Sequence, residues 1–144
     1  MAGLGEAASL AGLISLAGQA IQGVSKIYAF IKAYQTIAPK AQVVAKELEL
    51  LKQALSQTQI TASRATIVVP ELRAPIELLH AAVSSCQTRL SQISRDNEVL
   101  PLQKKTAVWK RIKVAALQDY FAAIHAQLSS EKESLLLRLS AFTW

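Results

Sequence analysis

The sequence predicts an all-α domain, an antiparallel bundle of four to five helices. Apolar residues recur in steps of three and four along most of the 144 residues, as one face of a helix requires. No stretch shows the sustained two-residue alternation of a half-buried strand. A chain of this length buries enough surface for one core without disulfides. We therefore expect a single helical domain over residues 1–144.

The first predicted helix differs in composition from the rest of the chain. All five glycines lie in the first 23 residues, and residues 7–25 carry no charge. As a helix this uncharged segment would be about 28 Å long, close to the roughly 30 Å hydrocarbon core of a bilayer. It is rich in Ala, Gly and Ser, so it is less apolar than a constitutive membrane span. This composition is typical of a helix that packs in a protein and is also able to enter a membrane.

Periodicity gives this helix two faces. The predicted core face continues to about residue 37 and contains Leu10, Ile14, Ala17, Ile21, Val24, Tyr28 and Ile31. The second face is small or mildly polar, which allows close approach of another helix, and contains Ala11, Ser15, Gly18, Gln22 and Ser25. Gly18 and Gly23 each weaken the helix by about 1 kcal/mol relative to Ala, which allows a break near Gly23. Pro39 is expected to end the helix.

Three further segments have helical periodicity. The second helix has an inner face of Val44, Leu48, Leu51 and Leu55, with Lys46, Glu47, Glu49 and Lys52 predicted outside. Residues 59–70 lack a clear helical period and are predicted to form the frayed end of the second helix and the connection that follows it. A third helix follows Pro70, admits Pro75 only in its first turn, and extends to about Asp96 before a loop at Asn97 and Pro101. Its inner face contains Leu72, Ile76, Leu79, Val83, Cys86, Leu90 and Ile93. The last helix carries Leu117, Phe121, Ile124, Leu128, Leu135, Leu139 and Phe142.

The basic surplus favours an anionic partner. The net charge is +6, and no acidic residue lies between Glu98 and Asp119, where the chain places Lys104, Lys105, Trp109, Lys110, Arg111 and Lys113. Tryptophan is enriched at membrane interfaces, whereas aromatic residues at 6% and the lack of a recognition motif disfavour nucleic acid. We expect these residues, with Lys26 and Lys32 beside the uncharged helix, to bind the head groups of anionic phospholipids. The alternative is a solvated basic surface.

Enzyme signatures are lacking in the sequence. His80, His125 and Cys86 do not have the spacing of metal ligands. Cys86 lies on an apolar face and is expected to be buried and unreactive, and the glycines do not form a phosphate-binding loop. We therefore expect no enzymatic activity, cofactor or metal.

Three features of the sequence favour a cytoplasmic protein. The single cysteine indicates a reducing compartment. The first charged residue, Glu6, is acidic where a secretory signal needs a basic region. Ala2 does not fit the glycine required for N-myristoylation.

One stretch resembles a known family. The residues Gly5-Glu6-Ala7-Ala8-Ser9-Leu10-Ala11-Gly12-Leu13-Ile14-Ser15-Leu16-Ala17 are similar to the opening of the HeLo-like domains, the N-terminal domains of many fungal STAND (NLR-like) receptors. The resemblance continues more diffusely to the final helix. It divides the domain into an N-terminal hydrophobic helix, 1–23, and the rest of the bundle, 24–144.

The resemblance implies a membrane-permeabilising executioner of regulated cell death. An upstream STAND receptor or amyloid signal would cluster the domain, and the homo-oligomer would move from the cytoplasm to the plasma membrane. The implied membrane-inserting positions are Leu4, Gly5, Glu6, Leu10, Gly12, Leu13, Ile14, Leu16, Gly18, Ile21 and Gly23. Glu6 stands where the family usually has an aliphatic residue, so its carboxylate would stay at the head groups or line a pore.

A second interpretation from another functional class stays open. The first helix can equally be an ordinary bundle helix that uses Gly and Ala for close packing. The domain would then be a helical adaptor or oligomerisation module for protein–protein signalling, without membrane insertion.

Overall fold

A computed structural model describes residues 2–34, 38–64, 70–99 and 107–142, with side chains described at 10–34, 38–64, 74–96 and 116–142. These residues form four helices: α1 Ala2–Lys32, α2 Pro39–Arg64, α3 Pro70–Val99 and α4 Ala107–Ser140. Within these ranges there is no strand. The predicted all-α bundle is confirmed, at the lower of the two expected helix counts.

The first two helices end at positions that differ from the prediction. α1 is continuous through Gly23 and ends at Lys32, followed by a turn to Tyr34. Pro39 does not end α1 but begins α2, because its fixed φ and missing N–H suit the first position of a helix. α2 continues to Arg64 and so includes residues that the irregular pattern had placed in a connection.

α3 is also longer than predicted. It continues through Asp96 and Asn97 to Val99, so this Asp-Asn pair does not begin the loop. Pro75 lies inside α3, past its first turn, where the missing N–H removes the helical hydrogen bond to the carbonyl four residues earlier. The predicted loop residue Pro101 lies outside the described residues.

Contacts between residues of neighbouring helices fix the direction of each helix. α1 is antiparallel to α2, since Ile14 lies opposite Gln59 and Tyr28 opposite Glu49. α3 is antiparallel to α4, since Ser85 binds Glu131 and the charge of Asp96 acts on Tyr120.

The other two packed pairs, α1 with α3 and α2 with α4, are parallel. Gly12 lies near His80 and Gly23 near Leu90. The Lys40 backbone amide donates a hydrogen bond to Gln118 Oε1, and Glu47 pairs with Lys132. The four packed pairs place α1 and α4 at opposite corners of the bundle. Consequently α2 and α3, consecutive in the chain, are also diagonal to each other.

One apolar core runs along the bundle axis. The predicted inner faces of α2, α3 and α4 are confirmed where side chains are described: Val44, Leu48, Leu51, Leu55, Ile76, Leu79, Val83, Cys86, Leu90, Ile93, Leu117, Phe121, Ile124, Leu128 and Leu135 are all buried. Tyr34 closes one end of this core, with its ring centroid 5.7 Å from that of Phe121. Leu139 and Phe142, also predicted inside, pack partly buried against the core.

The buried face of α1 is rotated from the predicted one. Its fully buried residues are Leu13, Ala17, Ala20, Val24, Ile27 and Ile31. The predicted core residues Leu10, Ile14, Ile21 and Tyr28 are half-buried at the edges of that face. The reason is that α1 packs between α2 and α3, so apolar residues cover a wide arc of its surface. The fully buried residues lie at the centre of this arc, and the half-buried ones lie at its edges.

Candidate functional site

The predicted membrane-active segment is an integral part of the bundle. Leu4, Gly5 and Glu6 lie in the first turns of α1, with side chains outside the described part of the chain. Leu13 is fully buried, whereas Leu10, Ile14, Leu16 and Ile21 are half-buried. The outward face is small and uncharged over most of its length and contains Ala11, Ser15, Gln19, Gln22, Ser25 and Ala29. Of the predicted contact face, only Gly18 is partly covered.

The described glycines of α1 lie at its two helix interfaces. Cβ atoms added at Gly12 and Gly23 would face α3, at 3.9 Å from His80 Nε2 and 3.6 Å from Leu90 Cβ. A Cβ added at Gly18 would face α2, at 3.1 Å from Gln59 Nε2. Gly18 therefore leaves space inside the folded domain, next to a side chain of α2.

Gln59 uses the space at Gly18 to reach the backbone of α1. Its Nε2 donates a hydrogen bond of 3.2 Å to the Ile14 carbonyl, the oxygen that also accepts from the Gly18 amide in the helix. At the other end of the same interface, the Tyr28 hydroxyl donates to Glu49 Oε1 at 3.1 Å, which raises the pKa of Tyr28. These polar contacts fix the register of α1 on α2, while buried apolar side chains make most of the contacts between the two helices.

The two glycines predict a measurable contrast. Gly12→Ala should stabilise the domain by about 0.5–1 kcal/mol, because alanine is the better helix former and its methyl group meets His80 at an ordinary contact distance. Gly18→Ala should gain clearly less, because its methyl group crowds Gln59 and weakens the bond to Ile14. Urea denaturation measures both free energies of unfolding. Equal gains would show that the Gln59 contact contributes nothing to stability.

The predicted basic surface is only partly described. Lys26 and Lys32 are exposed on α1. Lys104 and Lys105 lie outside the described residues. Trp109, Lys110, Arg111 and Lys113 lie in the first turns of α4, with side chains outside the described part.

A buried ion pair joins α2 and α4 at a position that the sequence prediction placed outside. Glu47 is 7% exposed, and its Oε1 lies 2.7 Å from Lys132 Nζ. His125 Nε2 lies 3.6 Å from Oε2 of the same carboxylate. Oε1 has no well-angled hydrogen bond among the described residues, so charge attraction dominates the contact. The sequence spacing indicates this burial. Glu47 follows Val44 by three residues and precedes Leu51 by four, so it lies on the same inner face of α2.

Cys86 is buried in α3, as its apolar position predicted. Burial raises the pKa of its thiol to about 12, with a further contribution from the Glu131 carboxylate. At neutral pH the thiol is therefore protonated and a poor nucleophile. Among the side chains that the structure describes, no three His, Cys, Asp or Glu groups converge as metal ligands.

None of the described helices is both long enough and apolar enough to span a membrane. Comparisons with protein-family models, with curated proteins and with solved structures give no match. The resemblance to HeLo-like domains thus remains an expectation from the sequence.

Proposed function

We propose that this domain permeabilises anionic membranes in regulated cell death, through release of α1 from a clustered bundle. The observation that carries the proposal is the character of α1, an uncharged helix over residues 7–25 with a buried aliphatic face and a small, polar outer face. The resemblance to HeLo-like domains supplies the biological setting. In this proposal an upstream STAND receptor or amyloid signal clusters the domain, which then moves from the cytoplasm to the plasma membrane.

The contacts of α1 suit an exchange of protein for lipid. Leu13, Ala17, Val24 and Ile31 are held by apolar packing, and lipid chains offer a similar environment to such side chains. The described polar contacts to α2 are one hydrogen bond from the Gln59 side chain to the Ile14 carbonyl and one from the Tyr28 hydroxyl to the Glu49 carboxylate. Among the described residues, release of α1 therefore breaks two hydrogen bonds to α2.

Released α1 would be amphipathic. Its buried aliphatic face would turn to the acyl chains, and its outer face, with Ser15, Gln19 and Gln22, would turn to water or to another α1. Lys26 and Lys32 at the end of the uncharged segment would meet the head groups, where each basic residue contributes about 1 kcal/mol on an anionic surface. Several copies together would enclose a polar path.

Release also supports the proposed homo-oligomer. Release of α1 would open the apolar core that it shares with Leu51 and Leu55 of α2 and Leu90 of α3. Exposed to water, such side chains each lose about 1.5–3 kcal/mol of burial free energy. Contacts between copies would cover these side chains again, so clustering and release of α1 would favour each other.

Dye release from vesicles tests the proposal. The full chain, clustered through a fused inducible dimerisation module, should release dye faster from vesicles that contain phosphatidylserine than from phosphatidylcholine alone. The unclustered chain is the control for activation. No release from either lipid composition, with clustering verified, would contradict the proposal.

An adaptor is the second candidate, favoured by apolar residues on the outer side of α2. Val43, Leu50 and Ile60 are each about 40% exposed, at 42%, 38% and 43%. An adaptor would use such a surface with α1 kept in the bundle. If the domain is an adaptor, Val43→Ser and Leu50→Ser together should abolish its own clustering. If release of α1 is the activity, the same double variant should still release dye when it is clustered through the fused dimerisation module.

A further inference from the structure

A groove of about 280 Å³ lies between α1 and α3, away from the Gln59 contact. Its lining combines two cationic side chains with hydroxyl and amide groups: Gly23, Lys26, Gln87, Leu90, Ser91, Ser94 and Arg95. No carboxylate is among these lining residues. Asp96 follows Arg95 in the chain, but its charge acts on Tyr120 of α4, on another side of α3.

The spacing of these residues directs several donors into one space. Ser91, Ser94 and Arg95 are three and four residues apart on α3, so they share one face. Lys26 comes from α1, on the opposite wall. An Arg guanidinium with a Lys ammonium and two hydroxyls is a typical donor set for a phosphate, which accepts charge-assisted and often bidentate hydrogen bonds.

Gly23 and Gln87 form the floor of the groove. A Cβ added at Gly23 would lie 3.6 Å from Leu90 Cβ and 3.9 Å from Gln87 Oε1, so any larger side chain at residue 23 would project into this space. Gln87 Oε1 is buried and has no hydrogen-bond partner among the described residues. Buried oxygens of this kind usually have a hydrogen-bond partner, so Gln87 places an unused acceptor beside the groove.

We propose that the α1–α3 groove binds a phosphate monoester, held by Arg95 and Lys26 with the hydroxyls of Ser91 and Ser94. This proposal deepens the proposed function by naming the head-group chemistry, and its membrane part rests on that function. The phosphate can belong to a soluble ester or to a lipid such as phosphatidic acid. Because the groove is lined by α1 and α3 together, the ligand binds the closed bundle, at a step before α1 is released.

Amide chemical shifts test the soluble arm in the full chain. Titration with glycerol 3-phosphate should shift the amides of Gly23, Ser91 and Ser94 saturably. Arg95→Gln should weaken this binding by about tenfold or more, because it removes charged hydrogen bonds. The matched control, Lys46→Gln, removes an exposed lysine of α2 and should leave the affinity unchanged. No saturable shift, or equal weakening by both substitutions, would overturn the proposal.

Vesicle sedimentation distinguishes the two sources of phosphate. Preference for phosphatidic acid over phosphatidylglycerol, at matched surface charge and abolished by Arg95→Gln, assigns the groove to a lipid. Binding of glycerol 3-phosphate without this preference assigns it to a soluble ester. Dye release reports separately on the proposed function: vesicles that never leak, together with a saturable titration, would contradict membrane permeabilisation and leave the phosphate site supported.

Discussion

Replacing Lys132 with methionine is expected to lower the free energy of unfolding by about 3 kcal/mol. The ammonium lies 2.7 Å from Oε1 of Glu47, whose side chain is only 9% exposed. Without it the carboxylate would remain between α2 and α4 with His125, 3.6 Å from Oε2, as its described basic neighbour. A buried charge that loses its partner keeps its desolvation cost, which makes this a large single-site effect. Chemical denaturation measures it.

Two controls separate the buried pair from a general effect of charge. The Glu47→Leu/Lys132→Met double variant removes both ions and should recover most of the lost stability, because a hydrophobic pair avoids the desolvation cost. Lys46→Met removes an exposed lysine next to Glu47 in the chain and should change stability by less than about 0.5 kcal/mol. A loss below about 1 kcal/mol, as for an exposed ion pair, would contradict the prediction and show that the Glu47 carboxylate is solvated.

The fold class was predictable because helical periodicity is a local property of the chain. The inner faces of α2, α3 and α4 consist mainly of large apolar residues at steps of three and four, so the periodicity of each helix predicts one inner face. The periodicity of α1 is compatible with two inner faces, because small and aliphatic residues occur on several sides of this helix. Which row becomes the centre depends on α2 and α3 together, which explains why Leu13 is fully buried and Leu10 is not.

The candidate site was less predictable because it depends on contacts between distant residues. Gly18 was identifiable as a position for close approach, but its neighbour Gln59 lies on another helix and is 45 residues away. Glu47 was misassigned because a carboxylate is normally exposed, although its spacing matches the buried face. Only the tertiary fold brings Lys132 to it. The groove at Arg95 likewise needs the parallel packing of α1 and α3.

In the proposed mechanism, α1 must leave the bundle before membranes leak. Deleting residues 1–23 tests this poorly, because the core would lose Leu13, Ala17 and Ala20 and the remainder would unfold for reasons unrelated to membranes. A covalent lock between α1 and α3 keeps every helix in place. The structure offers one, because a Cβ at Gly23 would lie 3.6 Å from Leu90 Cβ, within the range of disulfides.

The locked protein is the Gly23→Cys/Leu90→Cys variant in a Cys86→Ala background. Cys86 is replaced because it lies one turn from Leu90 on α3, where it would compete for the new cysteine. The single variants Gly23→Cys and Leu90→Cys, treated with the same oxidant, control for the substitutions and the reagent. Mass spectrometry verifies the disulfide.

The decisive measurement is dye release from phosphatidylserine vesicles by this clustered variant before and after reduction of the disulfide. Dye should leave the vesicles no faster with the oxidised protein than without any protein. Reduction should restore the rate of the single variants, because only then is α1 able to leave α3. If the oxidised and reduced proteins release dye at the same rate, α1 does not need to leave the bundle and the proposed mechanism is wrong.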